Sequence, residues 1–500
     1  MGGYGDVGGG TSKRSLQGFV PGSGSASDDL NEYNPLIRSR ARALFISAPI
    51  ATALIETLAT NVIGSGLIPN SRIDFETLGM SRDEAKRWQE QAEREFFLWA
   101  HDPGGCDALG RDDFFTQQGI AFKSFCASGD VFGLFKQGEP SRMRPYGLRV
   151  QLVEADRAAT PKAAKDAKFF APGRADGKLD NGNMCYDGVE VDGDGKIAAY
   201  HFRSTHPNEF DTLPDEKTEW TRVEAETEGY LNAAHMLMPD RPEQLRGVSI
   251  LAPVIELLLQ FRRYTEAELK AALIQADIAA FVLQPDQDSL GNPLNGQPVN
   301  ETGEAPAGRA SQPWEQRMGD GVMLYGVAGS DVKFPATSHP AQKFGEFART
   351  IAELIGASRG TPAGILLKSL NGSYSASRGE MLEFSKTVKI MRDAFAARWC
   401  KHVWDRIIAE AVARGRLRAP GFFRDPLARR AFTHSEWIGP TMGNVDPVKE
   451  VQALLMQIDN KLTTRENATS ALGNGDFYDN LAQLARESEL IDSMLGKQDV

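Results

Sequence analysis

Two long apolar stripes at helical spacing constrain the fold of this chain more than any other feature of its sequence. In residues 253–281, apolar side chains recur in alternating steps of three and four residues, and Pro253 favours a helix start. A second stripe of this kind occupies residues 381–407. At about 1.5 Å per residue, the two helices would be about 40 and 50 Å long. Helices of this length are more typical of a mechanical part than of an enzyme pocket.

A polar segment separates the two stripes. Residues 285–313 are rich in Pro, Gly, Asn, Asp and Gln, which predicts a loop or a small exposed module once Pro285 has ended the first helix. A strand is predicted at 321–325 and a helix at 340–356. A Gly/Ser-rich loop at 361–377 then leads into the second long helix.

The first half of the chain mixes helices with strands. The Gly/Ser-rich residues 1–30 predict a flexible arm. Residues 36–67 carry one helical stripe that ends near Gly64, and Ser81 with Glu84 forms a capping box for a second helix. A third helix and four strands are predicted at 112–128, 131–136, 148–153, 188–191 and 197–202, with the VDGDGK turn at 191–196. The sequence therefore predicts a helix-rich α+β chain.

Charge and composition limit the possible functions. The 56 basic and 67 acidic residues give a net charge of −11, which argues against a protein that grips nucleic acid over its whole surface. The four cysteines form no CxxC pair, so a reducing compartment without structural zinc is expected. The apolar runs are shorter than the roughly 20 residues of a membrane span. No export signal or lipid anchor is expected.

Phosphate-binding motifs are incomplete. Lys178 is followed by Leu179 and Lys196 by Ile197, so neither near-match to a P-loop offers the hydroxyl that binds magnesium. A formal GxGxxG at residues 3–8 lies in the Gly-rich arm, with no strand before it. No nucleotide, other cofactor or metal is therefore predicted.

A GxSxG motif at residues 356–360 keeps one enzymatic alternative open, a serine hydrolase with Ser358 as nucleophile and His402 or His434 as base. A nucleophile elbow must follow a strand, whereas the preceding residues have a helical pattern. A helix end with one of the two glycines in the left-handed conformation is the favoured interpretation.

Charged residues in several places have structural explanations. Arg262, Arg263 and Lys270 lie off the apolar stripe of the first long helix, as is typical of a solvated helix face. Arranged in a ring of subunits, they could also contact a polyanion. Three carboxylate pairs lie at a turn, a helix start or a solvated helix face, where acidic residues need no metal-binding or catalytic role. They are Asp112 with Asp113, Asp192 with Asp194, and Glu266 with Glu268.

Six stretches of the sequence carry a family resemblance. They are RSRARALF with NVIGSGLIPN (38–45, 61–70), FFLWAHDPGGCDALGRDDF with SGDVFGLF (96–114, 128–135), DGVEVDGDGKIAAYHF (187–202), RPEQLRGVSILAPVIELLLQFRRYTEAELKAA (241–272), NGSYSASRGEMLEF (371–384) and WIGPTMGNVDPVKEVQAL (437–454). In order and spacing they resemble the lambda-type (lambdoid) portal proteins of tailed phages, over about residues 34–489. Ala376 and Lys461 depart from the residues common in that family, which are Ser and Gly.

The resemblance implies a portal fold with wing, stem, clip and crown, assembled as a ring that is expected to be a dodecamer. Such a ring is the channel at the unique capsid vertex of the virion, through which double-stranded DNA is packaged and ejected, and it is assembled in the host cytoplasm. The implied partners are further copies of the chain, DNA in transit, the terminase large subunit, a head–tail adaptor, and the major capsid and scaffold proteins. Neither an enzymatic activity nor a membrane is implied.

The resemblance also assigns parts of the chain. These are a flexible arm at 1–35, the wing at 36–240, a stem helix at 241–283, the clip at 284–338, a second stem helix at 339–358, the tunnel loop at 359–379, a long wing helix at 380–415, a wing–crown connection at 416–446 and the crown at 447–500. The residues expected at the DNA channel are Lys368, Asn371 and Tyr374 in the tunnel loop, and Arg262, Arg263 and Lys270 in the stem. A non-portal minor capsid or scaffold component is a further alternative.

Overall fold

The computed structural model of the chain divides it into two compact units. One unit is Met1–Ile255 with Gly356–Val500, and the other is Glu256–Ile355. The structure describes residues 14, 17–19, 22–162, 165–171, 174–207, 219–284, 315–318, 321–327, 344–369, 373–441, 447–472 and 477–495.

The N-terminal part of the first unit contains six helices and twelve strands among its described residues. They are α1 (Ala26–Asn31), α2 (Asn34–Ser47), α3 (Pro49–Val62), β1 (Ile68–Ser71), α4 (Arg82–Ala100), α5 (Pro103–Cys106), α6 (Phe114–Ser128), β2 (Asp130–Gln137), β3 (Leu148–Glu154), β4 (Lys165–Ala171), β5 (Arg174–Lys178), β6 (Met184–Tyr186), β7 (Val189–Val191), β8 (Ile197–Arg203), β9 (Trp220–Glu224), β10 (Glu226–Thr227), β11 (Tyr230–Leu231) and β12 (Ala233–Leu237).

The rest of the described chain is mostly helical. The elements associated with the second unit are α7 (Ile255–Asp277), β13 (Ile278–Gln284), β14 (Glu315–Met318), β15 (Gly321–Val327) and α8 (Phe344–Ala357). The chain then continues through α9 (Ala363–Leu366), α10 (Tyr374–Phe395), a π-helical turn (Ala396–Cys400), α11 (Lys401–Ala413), α12 (Pro426–Thr433), β16 (Ser435–Ile438), α13 (Pro447–Asp459), α14 (Arg465–Leu472) and α15 (Phe477–Leu495).

The stripe at residues 36–67 forms two helices, so the prediction of one helix was wrong. Ala48 is extended, with φ −111° and ψ 110°, and Pro49 begins the new helix. A proline disfavours helical backbone in the residue before it and cannot donate the next helical hydrogen bond. The predicted end of the stripe is confirmed, because α3 ends at Val62 and Gly64 has a φ of +60°.

Local signals in α4 are confirmed. The Ser81 hydroxyl accepts a hydrogen bond from the backbone N–H of Glu84, and the Glu84 carboxylate accepts one from the backbone N–H of Ser81 at 2.9 Å. The apolar stripe of the helix is buried, which includes Trp88, Ala92, Phe96 and Trp99. The capping box needs only residues at the start of the helix itself, which is why the sequence predicted it.

The segment predicted as a flexible arm, residues 1–35, includes a short helix. Ser25 caps α1, and the Nδ2 amide of Asn31 donates to the Asp176 carboxylate at 2.9 and 3.1 Å. Asn31 is buried, so the last part of the predicted arm is tied into the first unit.

Two antiparallel sheets form the β-rich part of the first unit. Strands β4 to β9 make a six-stranded sheet in chain order, and β12, β2 and β3 make a three-stranded sheet. All four predicted strands are confirmed, as is the VDGDGK turn, where Asp192 Oδ1 accepts from the N–H of Lys196 at 2.9 Å. A buried apolar cluster joins the two sheets and includes Phe132, Leu134, Val153, Val189 and Phe202.

The second unit differs from the prediction at the end of its first long helix. Helix α7 ends at Asp277, and residues 278–284 are strand β13, which pairs in parallel with β15. The apolar run there suits a strand as well as a helix, and an available strand partner decides between them. Strand β15 confirms the predicted strand at 321–325, whereas Pro285 and the polar module lie outside the described residues.

The predicted helix at 340–356 is confirmed over its described residues as α8 (Phe344–Ala357), and residues 340–343 lie outside the described part. Within the second unit, the Tyr264 ring of α7 stacks on Phe344 of α8, with 5.9 Å between ring centroids. It also meets Phe347 edge-on at 5.0 Å. These ring contacts pair the two helices.

The second long helix is confirmed, with a different start. Helix α10 begins at Tyr374, where the Ser373 hydroxyl accepts from the N–H of Ala376, so the end of the predicted loop at 361–377 is helical. A π-helical turn that the sequence did not reveal joins α10 to α11. The predicted apolar stripe is buried at Phe384, Val388, Met391, Phe395, Trp399, Val403 and Ile407.

No single helix in the described part of the chain is both long and apolar enough to cross a membrane. Helices α2 and α3 reach that length and composition only as a pair, which is bent by 93°.

Candidate functional site

The GxSxG motif does not form a nucleophile elbow. Helix α8 leads directly into it, and Gly360 has the left-handed φ of +62° in the turn that follows the helix. The N–H of Thr361 donates to the Gly356 carbonyl at 2.9 Å. The helix-end interpretation is therefore confirmed, and the strand that a hydrolase elbow needs is absent before Ser358.

The two histidines proposed as bases have other environments. Burial lowers the pKa of His402 to about 4, and the nearby Lys401 charge adds to this effect. The Nδ1 atom of His434 lies 2.7 Å from the backbone carbonyl oxygen of Arg72. The serine hydrolase alternative therefore has no support in the geometry of the motif.

Three of the predicted channel residues lie on exposed positions of α7 in the second unit. Arg262 Nε is 3.1 Å from Glu266 Oε1, with both side chains about half exposed. Arg263 and Lys270 are also exposed. A surface pair of this kind is weak and screened by salt.

The other predicted channel residues belong to the first unit. Lys368 is exposed and has a φ of +52°, directly after the short helix α9. The N–H of Ser369 donates to the Gly364 carbonyl at 2.9 Å, which closes this turn. Tyr374 is the first residue of α10, and Asn371 lies outside the described residues.

A buried charge cluster at the centre of the first unit was not predicted. We define it as Arg38, Arg246, Asp130, Asp156 and Asp187, all of them buried. Arg246 Nε lies 2.6 Å from Asp130 Oδ2, and Arg246 Nη1 lies 2.7 Å from Asp187 Oδ2. Arg246 also donates to the carbonyl of Ala155 at 2.7 Å, so its guanidinium joins four separate segments of the chain.

Arg38 supplies the second positive charge of the cluster. Its Nε donates to the Ser128 carbonyl at 3.1 Å, and its Nη2 lies 3.5 Å from Asp130 Oδ1. Burial alone would raise the pKa of Asp130, but the charges of Arg246 and Arg38 outweigh burial and hold that pKa well below its usual value. Asp130 is therefore ionised at neutral pH, where it lies between the two buried arginines.

Two glycines allow the backbone beside this cluster to approach closely. A Cβ on Gly247 would lie 1.9 Å from the carbonyl oxygen of Gly129, and Gly129 itself has a φ of +94°. The Arg-Gly pair at 246–247 thus has two structural roles. Arg246 pairs with the buried acidic residues, and Gly247 allows the backbone at Gly129 to lie close to it. Both residues lie in the stretch at 241–272, which is one of the six that carry the family resemblance.

A group with metal-ligand composition lies at the edge of the cluster. Glu154, Asp156 and His206 offer ligand atoms within 4.8 Å of one another. Arg42 Nη1 lies 2.7 Å from Asp156 Oδ2 and 3.7 Å from Glu154 Oε2. The guanidinium already supplies the positive charge there, so this group forms an ion-pair network.

Comparison with known proteins identifies the class of protein. A profile described as phage portal protein, lambda family, matches residues 12–392. The chain is 27% identical over 441 residues to a probable portal protein of Halomonas phage phiHAP-1, which covers 86% of this chain and 76% of the relative. It is 23% identical over 512 residues to portal protein B of Escherichia phage lambda, covering 96% and 90%, and 22% identical over 513 residues to the portal protein of Escherichia phage N15, covering 96% and 91%.

The chain belongs to the lambda family of phage portal proteins, and its function is that of a phage portal. This family is structural and not enzymatic. The resemblance drawn from the six sequence stretches is thereby confirmed.

Solved structures give a weaker likeness. The neck of a native gene transfer agent particle with C12 symmetry matches at 14% identity and a TM-score of 0.37, covering 87% of this chain and 92% of that one. The neck of an empty particle with C6 symmetry matches at 13% identity and a TM-score of 0.39, covering 93% and 98%. At these TM-scores the likeness carries no argument about fold or assembly.

Proposed function

We propose that about twelve copies of this chain form a ring at the unique capsid vertex, through which double-stranded DNA is packaged and later ejected. The observation that carries the proposal is the family match over residues 12–392, which spans the whole second unit and most of the first. Symmetry around a ring turns each exposed charge of one chain into a circle of charges, which is how weak local features come to act on DNA.

The compact unit Glu256–Ile355 supports an assignment of stem and clip as one module. In this proposal, residues 241–283 and 339–358 form the stem, and residues 284–338 form the clip. The wing comprises residues 36–240 with the helix at 380–415, and residues 416–446 connect it to the crown at 447–500. The tunnel loop is assigned to residues 359–379, where the turn at Lys368 precedes the start of α10.

Charge supports a conduit that lets DNA slide. The chain has a net charge of −11, and the exposed arginine pair of α7 includes Arg262, which is partly neutralised by Glu266. Each firm contact between a basic residue and a phosphate adds to affinity and to its salt dependence, so many such contacts in a ring would hold the DNA. We therefore propose weak contacts from Arg262, Arg263 and Lys270 in the stem, and from Lys368, Asn371 and Tyr374 in the tunnel loop.

The clip is the proposed docking site for the terminase large subunit during packaging and for the head–tail adaptor afterwards. The composition of residues 285–313 supports this role, because few of them are apolar and polar composition is typical of exposed segments. The other proposed partners are the major capsid and scaffold proteins, and assembly is proposed to occur in the host cytoplasm.

Deletion of residues 286–312 tests this docking role. We expect the shortened protein to form a ring of unchanged symmetry that captures neither purified terminase nor adaptor in a pull-down. A ring without residues 1–13 is the matched control, and it should capture both. Capture of terminase by the ring that lacks 286–312 would contradict the assignment.

A further inference from the structure

The segment at residues 414–430 is strongly basic, although the chain as a whole is acidic. It contains six arginines and a single acidic residue, Asp425, whereas the full chain has a net charge of −11. The six are Arg414, Arg416, Arg418, Arg424, Arg429 and Arg430. Asp425 caps helix α12, where its side chain accepts a hydrogen bond from the N–H of Leu427 at 2.8 Å. The segment therefore concentrates positive charge in one short part of the chain.

The first two arginines of the segment already have acidic partners. Arg414 Nη2 lies 2.7 Å from Glu410 Oε1, and Arg416 Nε lies 2.7 Å from Glu95 Oε2. These two ion pairs fasten the start of the segment to helices α11 and α4.

Three other arginines of the segment are exposed and have no acidic partner among the described residues. They are Arg418, Arg424 and Arg430. Two large apolar side chains lie among them in the sequence, Phe423 and Leu427, whose exposed fractions are 62 and 61%. We define these five residues as the arginine surface. It combines positive charge with apolar area that the described part of the chain does not cover.

The arginine surface is held in place by contacts with buried residues. The Phe423 ring lies 5.0 Å from the ring of the buried Phe422, measured between centroids, and Phe422 lies 6.4 Å from Phe432. Phe432 lies 5.0 Å from Trp88 of α4, and the Trp88 Nε1 atom donates to the Arg418 carbonyl at 3.0 Å. The backbone of the surface is therefore ordered before any partner binds, so binding loses less conformational entropy.

Helix α4 adds two more exposed arginines beside the segment. Gln91 Nε2 of α4 donates to the Arg416 carbonyl at 2.8 Å, which places this face of the helix against the segment. Arg87 and Arg94 lie four residues before and three residues after Gln91, so they share its face, and both are exposed. The positive charge therefore extends beyond residues 414–430.

We propose that the arginine surface binds a segment of another protein that carries both acidic and large apolar side chains. The inference goes beyond the proposed function, because the surface lies outside the stem, the clip and the tunnel loop. It does not depend on the proposed ring, since all of its residues belong to one chain. The guanidinium groups suit carboxylates, which they bind through two parallel hydrogen bonds.

The exposed apolar residues favour a protein segment over DNA as the occupant. Arginines alone suit either partner, because phosphates and carboxylates are both anionic acceptors. Phe423 and Leu427 gain nothing from a phosphate backbone, whereas apolar side chains of a protein partner would remove them from water. Aromatic residues and arginine are also the residue types enriched at protein interfaces.

The test measures binding of labelled probes to full-length protein by fluorescence anisotropy. The first probe is a synthetic peptide of about 18 residues made of Glu and Leu, and the second replaces each Leu with Ser. The third is a DNA duplex of about 20 base pairs. We expect wild type to bind the Glu/Leu peptide at least about ten-fold more tightly than the Glu/Ser peptide, because only the former covers the apolar residues.

Two variants remove the two parts of the arginine surface separately. Arg424→Glu/Arg430→Glu reverses two charges, and Phe423→Ser/Leu427→Ser removes the apolar area. Each should weaken binding of the Glu/Leu peptide about ten-fold or more. All four positions are exposed, so melting temperatures should stay close to that of wild type.

The matched control is Lys386→Glu/Lys389→Glu, which reverses two charges on α10 at side chains that are 70 and 75% exposed. It should bind the Glu/Leu peptide within about two-fold of wild type. Equal weakening by the control and by the arginine variant would overturn the proposal, as would no binding by wild type at about 100 μM peptide. Tighter binding of the duplex than of the Glu/Leu peptide, unchanged in Phe423→Ser/Leu427→Ser, would also overturn it and would identify DNA as the occupant.

Discussion

Replacing Arg246 with methionine tests the role of the buried charge cluster. The substitution keeps much of the side-chain volume but removes the guanidinium. In wild type this group lies 2.6 Å from the Asp130 carboxylate and 2.7 Å from the Asp187 carboxylate, so both lose their main partner. Removing one member of a buried ion pair costs about 3–5 kcal/mol. With an unfolding entropy of about 2.1 cal/mol/K per residue over roughly 400 residues, this corresponds to a Tm lower by about 4–6 °C.

The lowered pKa of Asp130 also predicts how the Tm deficit of the variant changes with pH. In wild type the pKa of Asp130 is below its ordinary value of 3.8, so its contribution to stability is present above that pH and is lost as the pH falls through the lowered pKa. Without Arg246, burial raises the pKa of Asp130, and the carboxyl group is then tolerated best when protonated. The Tm deficit of Arg246→Met should therefore shrink between pH 7 and pH 4.5.

Calorimetry of full-length protein measures this effect. The control is Arg241→Met, because Arg241 lies five residues away and pairs with Asp29 at 2.7 Å, with both side chains about half exposed. A surface pair of this kind contributes about 0–1 kcal/mol, so the Tm should change by about 1 °C or less. Equal Tm losses for Arg246→Met and Arg241→Met, or a Tm deficit that grows toward low pH, would show that Arg246 does not stabilise the buried carboxylates.

Three further substitutions follow from the structure. Gly247→Ala should prevent soluble expression or lower Tm by several degrees, because its Cβ would meet the Gly129 carbonyl at 1.9 Å; an unchanged melting curve would show that the backbone there can separate. Trp399→Ala, at a fully buried position, should cost about 3–5 kcal/mol in urea unfolding, and a cost below about 1 kcal/mol would contradict its core position. Lys368→Glu should preserve the ring but reduce packaged DNA length at low salt, while Lys389→Glu should not; equal packaging by both would exclude Lys368 from the channel.

Features encoded within a few consecutive residues could be predicted from the sequence. The capping box at Ser81 and Glu84 and the buried stripe through Trp399 need no information from distant parts of the chain. Pro49 also carries a local signal, since proline starts helices more readily than it continues them, and this signal marks the division of the stripe at 36–67 into two helices. The strand at 278–284 could not be found this way, because its partner β15 lies about forty residues further on.

The buried charge cluster was beyond prediction for a similar reason. Arg38 and Arg246 are more than 200 residues apart, and each resembles an ordinary surface arginine in its local sequence. Only the fold brings them to the same aspartate, Asp130. The channel residues are a different case. Their proposed contact with DNA depends on the arrangement of neighbouring subunits as well as on the fold of one chain.

The mass and symmetry of the assembled particle test the central claim most directly. Full-length protein is purified, and its mass is measured by native mass spectrometry, with end-on electron microscope images of the same sample. We expect a closed ring of about twelve subunits with an open central channel. A monomer, a dimer or an open filament as the stable form would contradict it.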